Sequence, residues 1–486
     1  MKKIIFLLLF GTVTAFAQTQ IDADINGEAA NDSSGYSVSL SQDGSVVAIG
    51  AIYNAGNSTD SGHVRVYKNV SNVWTQVGGD INGEAANDLS GLSVSLSQDG
   101  SVVAIGAPNN TGNGTNSGHV RVYKNVANVW TQVGADINGE TANDGSGYSV
   151  SLSQDGSVVA IGSYLNDGNG TNSGHVRVYK NVANVWTQVG ADINGEAAND
   201  GSGYSVSLSQ DGSVVAIGAT CNDGNGSCSG HVRVYKNVSN VWTQVGADIN
   251  GDVVDEYSGY SVSLSQDGGV VAIGAIYYDG NGTDSGRVRV YKNVANVWTQ
   301  VGADINGEAA SDYCGYSVSL SQDGSVVAIG AIGNGTDSGR VWVYKNVSNV
   351  WTQVGADING EAANDFSGHS VSLSSDGGVV AIGAYSNDGN GLNSGHVRVY
   401  NLAAVLASDG FVNDDFSILP NPTSDILNIN LGNNLTLIKV NIYTTLGQLI
   451  KIENKSQINI SGLAKGNYFV EVITNQGRAT KTIIIE

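Results

Sequence analysis

The stretch Ser202-Gly-Tyr-Ser-Val-Ser-Leu-Ser-Gln-Asp-Gly-Ser-Val-Val-Ala-Ile-Gly-Ala219 decides the fold. Its two apolar-patterned runs, Tyr204 to Ser209 and Ser213 to Ala219, flank Asp211-Gly212, a dipeptide suited to the positive-φ backbone of a tight turn. The pattern predicts a β-hairpin. The same hairpin recurs with its glycine at Gly35, Gly91, Gly147, Gly203, Gly259, Gly315 and Gly368, spaced by 56 residues five times and then by 53. Seven copies at a fixed period mean a repeat architecture.

Working outward within one repeat, Asp192-Ile-Asn-Gly-Glu-Ala-Ala-Asn-Asp200 precedes the hairpin and a glycine-rich loop, Asn222 to Gly230, follows it. His231-Val-Arg-Val-Tyr-Lys236 alternates polar and apolar residues and reads as a third strand; Val241-Trp-Thr-Gln-Val245 reads as a fourth. Val214-Val215-Ala216-Ile217 is apolar on both faces, which a strand needs only when both sheet faces are covered. Sheets stacked around an axis meet that need. The fourth strand occurs six times, at Trp74, Trp130, Trp186, Trp242, Trp298 and Trp351, against seven hairpins. Thr19 to Ile25 aligns with Thr243 to Ile249, so the missing strand is expected at the N-terminus, where it closes a ring of seven and hides the sheet edges.

The residues then resemble the FG-GAP repeat of integrin-α-like seven-bladed β-propellers, through Ser-Gly-Tyr-Ser-Val-Ser-Leu-Ser, Val-Val-Ala-Ile-Gly-Ala and Ser-Gly-His-Val-Arg-Val-Tyr, with tyrosine in place of the family's phenylalanine. The resemblance implies an all-β propeller over residues 18–402. It also implies calcium loops of the pattern Asp-x-Asp-x-Asp-Gly between the first two strands of many blades. Here that connection is only Gln210-Asp211-Gly212, too short to wrap an ion that takes six to eight oxygens.

At the N-terminus, Lys2-Lys3, the apolar run Ile4 to Phe10 and Ala15-Phe16-Ala17 follow the order of a secretory signal peptide, residues 1–17, with cleavage expected between Ala17 and Gln18. Residues 403–415 read as a linker. From residue 416 to 486 short strands separated by Gly or Asn turns predict a small Ig-like β-sandwich. Its motifs, Leu419-Pro-Asn-Pro422, Ile442-Tyr-Thr-Thr-Leu-Gly-Gln-Leu449, Leu463-Ala-Lys-Gly-Asn-Tyr468 and Lys481-Thr-Ile-Ile-Ile485, resemble the C-terminal sorting domain of Bacteroidetes type IX secretion. That resemblance implies engagement of the secretion machinery and release into the medium or display on the outer-membrane surface.

Asp and Glu outnumber Lys and Arg 44 to 22, giving a net charge of −22. Nucleic acid and anionic membrane surfaces would be repelled. No stretch reaches the length of a transmembrane helix, and the chain is expected to be a monomer. Of three cysteines, Cys221 and Cys228 bracket one loop and are expected to form a local disulfide. Cys314 replaces the serine of a Ser-Gly-Tyr unit and reads as an idle buried thiol.

Repetition separates framework from function, because a catalytic residue is needed once whereas a framework residue recurs in every blade. The third strand begins with His63, His119, His175, His231 and His396 in five blades but with Arg287 and Arg340 in two. Arginine is neither a general base nor an ordinary metal ligand, so the position reads as one needing a polar or cationic side chain. No nucleophile, base and orienter assemble as a set, and the chain reads as noncatalytic. Two carboxylates recur in the loop before every hairpin: Glu28 and Asp32, Glu84 and Asp88, Glu140 and Asp144, Glu196 and Asp200, Asp252 and Glu256, Glu308 and Asp312, Glu361 and Asp365. These loops are expected to share one face with the Asn-Asp-Gly-Asn-Gly loops, making a polar, acidic ligand-binding face. Asp279, Asn281 and Asp284 form the loop most suggestive of calcium, although it departs from the EF-hand order. Recurrence on the outermost strand favours a packing role for the tryptophans over a sugar-stacking one. The expected function is adhesion or binding to a glycan or an extracellular protein; a polysaccharide hydrolase or lyase and a purely structural surface protein are the alternatives.

Overall fold

The computed structural model describes residues 18–407, 416–432, 435–444, 449–474 and 477–486. The expected signal peptide and residues 408–415 of the expected linker lie outside the described residues.

With the seven blades numbered I to VII in chain order, blade IV shows how the opening stretch folds. Ser202–Leu208 pairs antiparallel with Val214–Ala219, that strand with His231–Val238, and His231–Val238 with Val241–Gln244. The turn between the first two strands is held by its own side chains. Gly212 adopts φ +69°, and the Asp211 carboxylate accepts from the Ser209 hydroxyl (2.8 Å) and the Ser213 amide (2.9 Å). Every residue of Val214–Ala219 is buried, as covering of both sheet faces requires. A fifth element, the two-residue strand Ile249–Asn250, folds back on the start of the third strand by pairing with Val232 and His231. A strand so short has no residue pattern of its own and was not expected. The arrangement repeats in all seven sheets.

In the seventh sheet the outer strand comes from the N-terminus. Thr19 pairs with Asn401, Gln20 with Tyr400 and Ile25 with Val397, so the ring closes as expected. Closure is also visible at the axis. The Gln42 amide donates to the Gln98 carbonyl, Gln98 to Gln154, Gln154 to Gln210, Gln210 to Gln266, Gln266 to Gln322, Gln322 to Ser375, and Ser375 back to Gln42, at 2.7–3.0 Å. This circle of backbone hydrogen bonds surrounds one mouth of the central channel.

Blades are stitched by the serines that alternate along each inner strand. The Ser205 hydroxyl donates to the Gly259 carbonyl of the next blade (2.7 Å), and the Ser207 hydroxyl accepts the Leu264 amide (2.9 Å). That close approach fixes Gly218, because a Cβ there would stand 2.1 Å from the Gly259 oxygen. On the outer side the Trp242 indole donates to the Val189 carbonyl of the preceding blade (2.7 Å), which places the tryptophans in blade-to-blade packing. Between adjacent blades lie apolar clusters such as Val158, Val176, Val206, Val215 and Ile217.

The expected linker begins as structure: Ala403–Ala407 is a helical turn, and the buried Leu402 and Val405 pack on Val326, Val354 and Val380 of the ring. The C-terminal module is two sheets, Phe416–Leu419, Ile426–Leu431 and Gln457–Asn459 in one, and Leu437–Thr444, Leu449–Glu453, Gly466–Thr474 and Gly477–Ile485 in the other. They enclose a core of its own that includes Leu427, Ile429, Val440, Ile458, Val470, Val472 and Ile483. Among the described residues no helix is long and apolar enough to cross a membrane.

Candidate ligand-binding face

The acidic loop and the glycine-rich loop emerge together, as the four-stranded meander requires. Asn222 of the glycine-rich loop donates to Asp200 of the acidic loop (3.2 Å), and the Asn225 amide crosses to the Gly251 carbonyl of the next blade's acidic loop (2.6 Å). The paired carboxylates of these loops have separate tasks. The second of each pair is buried and caps its own loop: Asp32 accepts from the Glu28 amide (3.2 Å) and the Ala29 amide (2.8 Å), and Asp144, Asp200 and Asp312 repeat the pattern. Asp88 and Asp365 accept in the same way from Ala85 and Ala362, and Glu256 accepts from the Asp252 amide (2.6 Å).

The first carboxylate of each pair is half-exposed and faces the third strand. One oxygen of Glu28 lies 3.6 Å from Arg65; the equivalent separations are 3.4 Å for Glu84 and Arg121, 3.5 Å for Glu140 and Arg177, 3.5 Å for Glu196 and Arg233, and 3.8 Å for Glu361 and Arg398. The other oxygen turns towards the strand histidine. His63, His119, His175, His231 and His396 are buried, and burial, assisted by a guanidinium beside each, brings every imidazole down to about 4. They are neutral at physiological pH. In the other two blades Arg287 and Arg340 fill the same position with direct ion pairs, to Asp252 (2.7 Å) and to Glu308 (2.6 Å).

A third carboxylate joins each cluster, one that sequence reasoning missed. It is the aspartate of the recurring Asp-Ile-Asn, brought back to the third strand by the two-residue strand: Asp24, Asp80, Asp136, Asp192 and Asp248 in the histidine blades, Asp304 and Asp357 in the arginine blades. Its recurrence in every repeat was the available signal.

The loop Asp279 to Asp284 uses its side chains internally. Asp279 accepts from the Asp284 amide (2.8 Å), and the Asn281 side chain donates to the Gly307 carbonyl (2.7 Å). Asp167, Asp223 and Asp388 make the same cap in their blades, so this loop is the ordinary loop of the repeat. Cys221 and Cys228 are joined in a disulfide. Cys314 is fully buried beside Trp342, and that burial raises its thiol well above the usual range.

The centre of the face is aromatic. The residue after each inner-strand glycine, at the strand end opposite the glutamine circle, is Tyr36, Leu92, Tyr148, Tyr204, Tyr260, Tyr316 or His369, and the six rings among them form a collar. Ring centroids follow one another at 5.0 Å from Tyr148 to Tyr204, 5.0 Å to Tyr260, 5.1 Å to Tyr316, 4.9 Å to His369 and 4.4 Å to Tyr36. Leu92 holds the remaining position. Burial raises the phenols of Tyr36, Tyr148, Tyr260 and Tyr316 above their usual range, Tyr316 to about 12, so these four stay protonated donors. His369 bridges Tyr316 and the Tyr36 carbonyl, and burial brings it down to about 4.

A second tier surrounds this collar. Tyr164 packs on Tyr148 at 4.4 Å, Phe366 stacks on Tyr385 at 5.5 Å, and Tyr277 touches Tyr257 and Tyr313 at 5.0 and 6.0 Å. Tyr53 and Tyr277 are 44% and 38% exposed. These are also the positions at which the blades differ. The residue after the capping acid is Ser33, Leu89, Gly145, Gly201, Tyr257, Tyr313 or Phe366; the residue after the second strand is Ile52, Pro108, Tyr164, Thr220, Ile276, Ile332 or Tyr385.

Comparison with known proteins gives two family matches. Residues 138–179 and 359–400 match the FG-GAP repeat, and residues 417–486 match the secretion system C-terminal sorting domain. No curated protein matches the chain. Among solved structures it is similar to the Kuenenia stuttgartiensis hydrazine synthase, at 13% identity and a TM-score of 0.49 over 80% of this chain and 98% of that one. The chain therefore carries FG-GAP repeats and a sorting domain that marks it for type IX export, to the cell surface or the medium.

Proposed function

We propose that this chain is a noncatalytic extracellular binding protein that engages a glycan through the tyrosine-lined mouth of its propeller. The observation that carries the reading is the gathering of blade-variable and aromatic residues around one mouth, while the rest of the ring repeats. Tyrosine supplies a flat apolar face for the C–H surface of a sugar and a hydroxyl for its oxygens, and the surrounding loops add asparagine side chains and backbone carbonyls. Sevenfold presentation suits a repetitive polymer, since neighbouring contacts on one chain reinforce each other. Glycoside hydrolysis needs two carboxyl groups facing one bond. In each pair one acid caps its own loop and the other keeps one oxygen against a guanidinium, so no pair stands as two carboxyl groups facing one bond, which supports binding without turnover.

The test is a glycan array probed with the purified mature protein, beside a screen for polysaccharide degradation. Retention of one glycan class without product is the expected result. Product formation would overturn the noncatalytic reading, and capture of an extracellular protein with silence on every glycan would overturn the ligand class.

A further inference from the structure

The third strand starts with a cation in only two of seven blades, yet the acids that surround that position are present in all seven. In blade V the Arg287 guanidinium takes Asp252, Glu256 and Asp304, each at 2.7 Å. In blade II the equivalent atoms converge on a neutral imidazole. His119 Nδ1 lies 3.9 Å from Glu84 Oε2 and 3.9 Å from Asp136 Oδ2, too far for hydrogen bonds. Each carboxylate has already placed its other oxygen: Glu84 Oε1 faces Arg121 at 3.4 Å, and Asp136 Oδ1 accepts from the Gln132 side chain at 2.7 Å. Asp304 Oδ1 likewise accepts from Gln300 at 2.7 Å, and it is the remaining oxygen that Arg287 takes. The histidine blades thus present the same free oxygens with no cation to receive them.

Two further observations point to a ligand. The side chains of His63 and His396 are 1% exposed, and neither ring nitrogen of either has a hydrogen-bond partner within the protein. The charge is also unbalanced: around His119 stand three carboxylates, Glu84, Asp88 and Asp136, against one guanidinium, Arg121, leaving two negative charges in excess.

We propose that the five His–Glu–Asp clusters, at His63, His119, His175, His231 and His396, each bind a divalent transition-metal ion, with zinc as the natural occupant. One imidazole nitrogen and two carboxylate oxygens, completed by water, are a zinc-type donor set, whereas calcium takes oxygen donors alone. Zinc arms of about 2.0–2.1 Å set tetrahedral ligand atoms about 3.3 Å apart, so the ligand atoms of each cluster, which lie within 4.8 Å of one another, draw in around the ion. The outer partners on Glu84 and Asp136 orient the donors, as second-layer groups do in metal sites. The ion joins three segments at each blade junction, as Arg287 does in blade V. In blade VII one ligand is Asp24, on the N-terminal segment that closes the ring, 3.6 Å from His396. There the metal is a latch on closure.

The fold itself supplies the control substitution, because it accommodates arginine at this position twice. The purified mature protein, stripped with a chelator and then dialysed against zinc, is expected to retain five equivalents by elemental analysis and to melt at a higher temperature than the stripped form. Replacing all five histidines by arginine should bring the bound zinc to none while leaving the β-sheet circular dichroism intact. The single variant His119→Arg should lower it from five to four, which keeps the test decisive if the fivefold variant does not fold. Failure of the stripped protein to take up zinc, or an unchanged stoichiometry in His119→Arg, would overturn the assignment.

Discussion

The two mouths of the central channel are built from the same seven strands and carry opposite messages. At one, six glutamines and Ser375 join through backbone amides and carbonyls in an unbroken circle, and the turns beyond it repeat with little change. At the other, five tyrosines, one leucine and one histidine ring the axis, and the loops outside them differ from blade to blade. Closure of a ring makes the same demand on every blade, so it leaves uniform sequence. An asymmetric ligand would make a different demand on each, which is why the proposed binding role is placed at the variable mouth rather than the uniform one.

The largest effect expected is on closure, which both mouths share. Deleting Gln18 to Ile25 removes the strand that pairs with His396–Asn401 and leaves an open sheet edge. The protein should aggregate on expression or elute as oligomers; a monomer with unchanged melting would show that the ring stays shut without this strand. Next in size is Gly218→Ala. The added Cβ meets the Gly259 carbonyl at 2.1 Å, backbone against backbone, and should cost about 3 kcal/mol in denaturant unfolding. The backbone beneath the variable mouth would then prove as constrained as the glutamine circle.

Acid separates the mouths more finely. His369 in the collar has its folded value lowered to about 4 by burial, against about 6.5 unfolded. Above pH 6.5 neither state is protonated and the residue has no effect. Between pH 6.5 and 4 only the unfolded chain takes the proton, so stability falls as pH falls, by on the order of 2 kcal/mol at pH 5. The five strand histidines are lowered in the same direction and steepen the same limb. His369→Tyr restores the residue of five other blades and should flatten the limb by its share, read from melting temperatures at pH 7 and 5 with chelator present. An unaltered slope would mean that the imidazole is protonated in the folded collar.

The hairpin, the count of seven and the closing strand were legible because a period of 56 residues repeats the same weak local signals many times. The two-residue strand Ile249–Asn250 was not: it has no pattern of its own and exists only by pairing with His231 and Val232. For the same reason the histidine clusters could not be read. Glu196, His231 and Asp248 are 35 and 17 residues apart, and that short strand delivers the aspartate. The acidic loops were recognised as a recurring face, but their chemistry depends on which oxygen meets which donor. Asp200 and Glu196 look alike in sequence, yet one is a buried cap and the other a half-exposed partner of Arg233. The collar of tyrosines was illegible for a comparable reason. A tyrosine recurring in five of seven hairpins does not announce a shared site, and only the ring geometry gathers the five around a common axis.

The smallest effect on stability should accompany the clearest effect on binding. Tyr53 and Tyr277 stand on the outer tier of the variable mouth, 44% and 38% exposed, and neither supports the apolar clusters between blades. Tyr277→Ala removes ring contacts with Tyr257 and Tyr313 that lie at the surface, so unfolding should shift by no more than about 0.5 kcal/mol. If the mouth holds a sugar against these rings, the same substitution should weaken the retained glycan about tenfold, equivalent to ~1.4 kcal/mol. A matched change on the opposite side, Gln266→Ala in the glutamine circle, removes a side chain but keeps the backbone bond that closes the ring, and should leave glycan affinity unaltered. Equal losses from both substitutions would erase the distinction between the mouths, since ligand would then be sensing the ring as a whole rather than the tyrosine side of it.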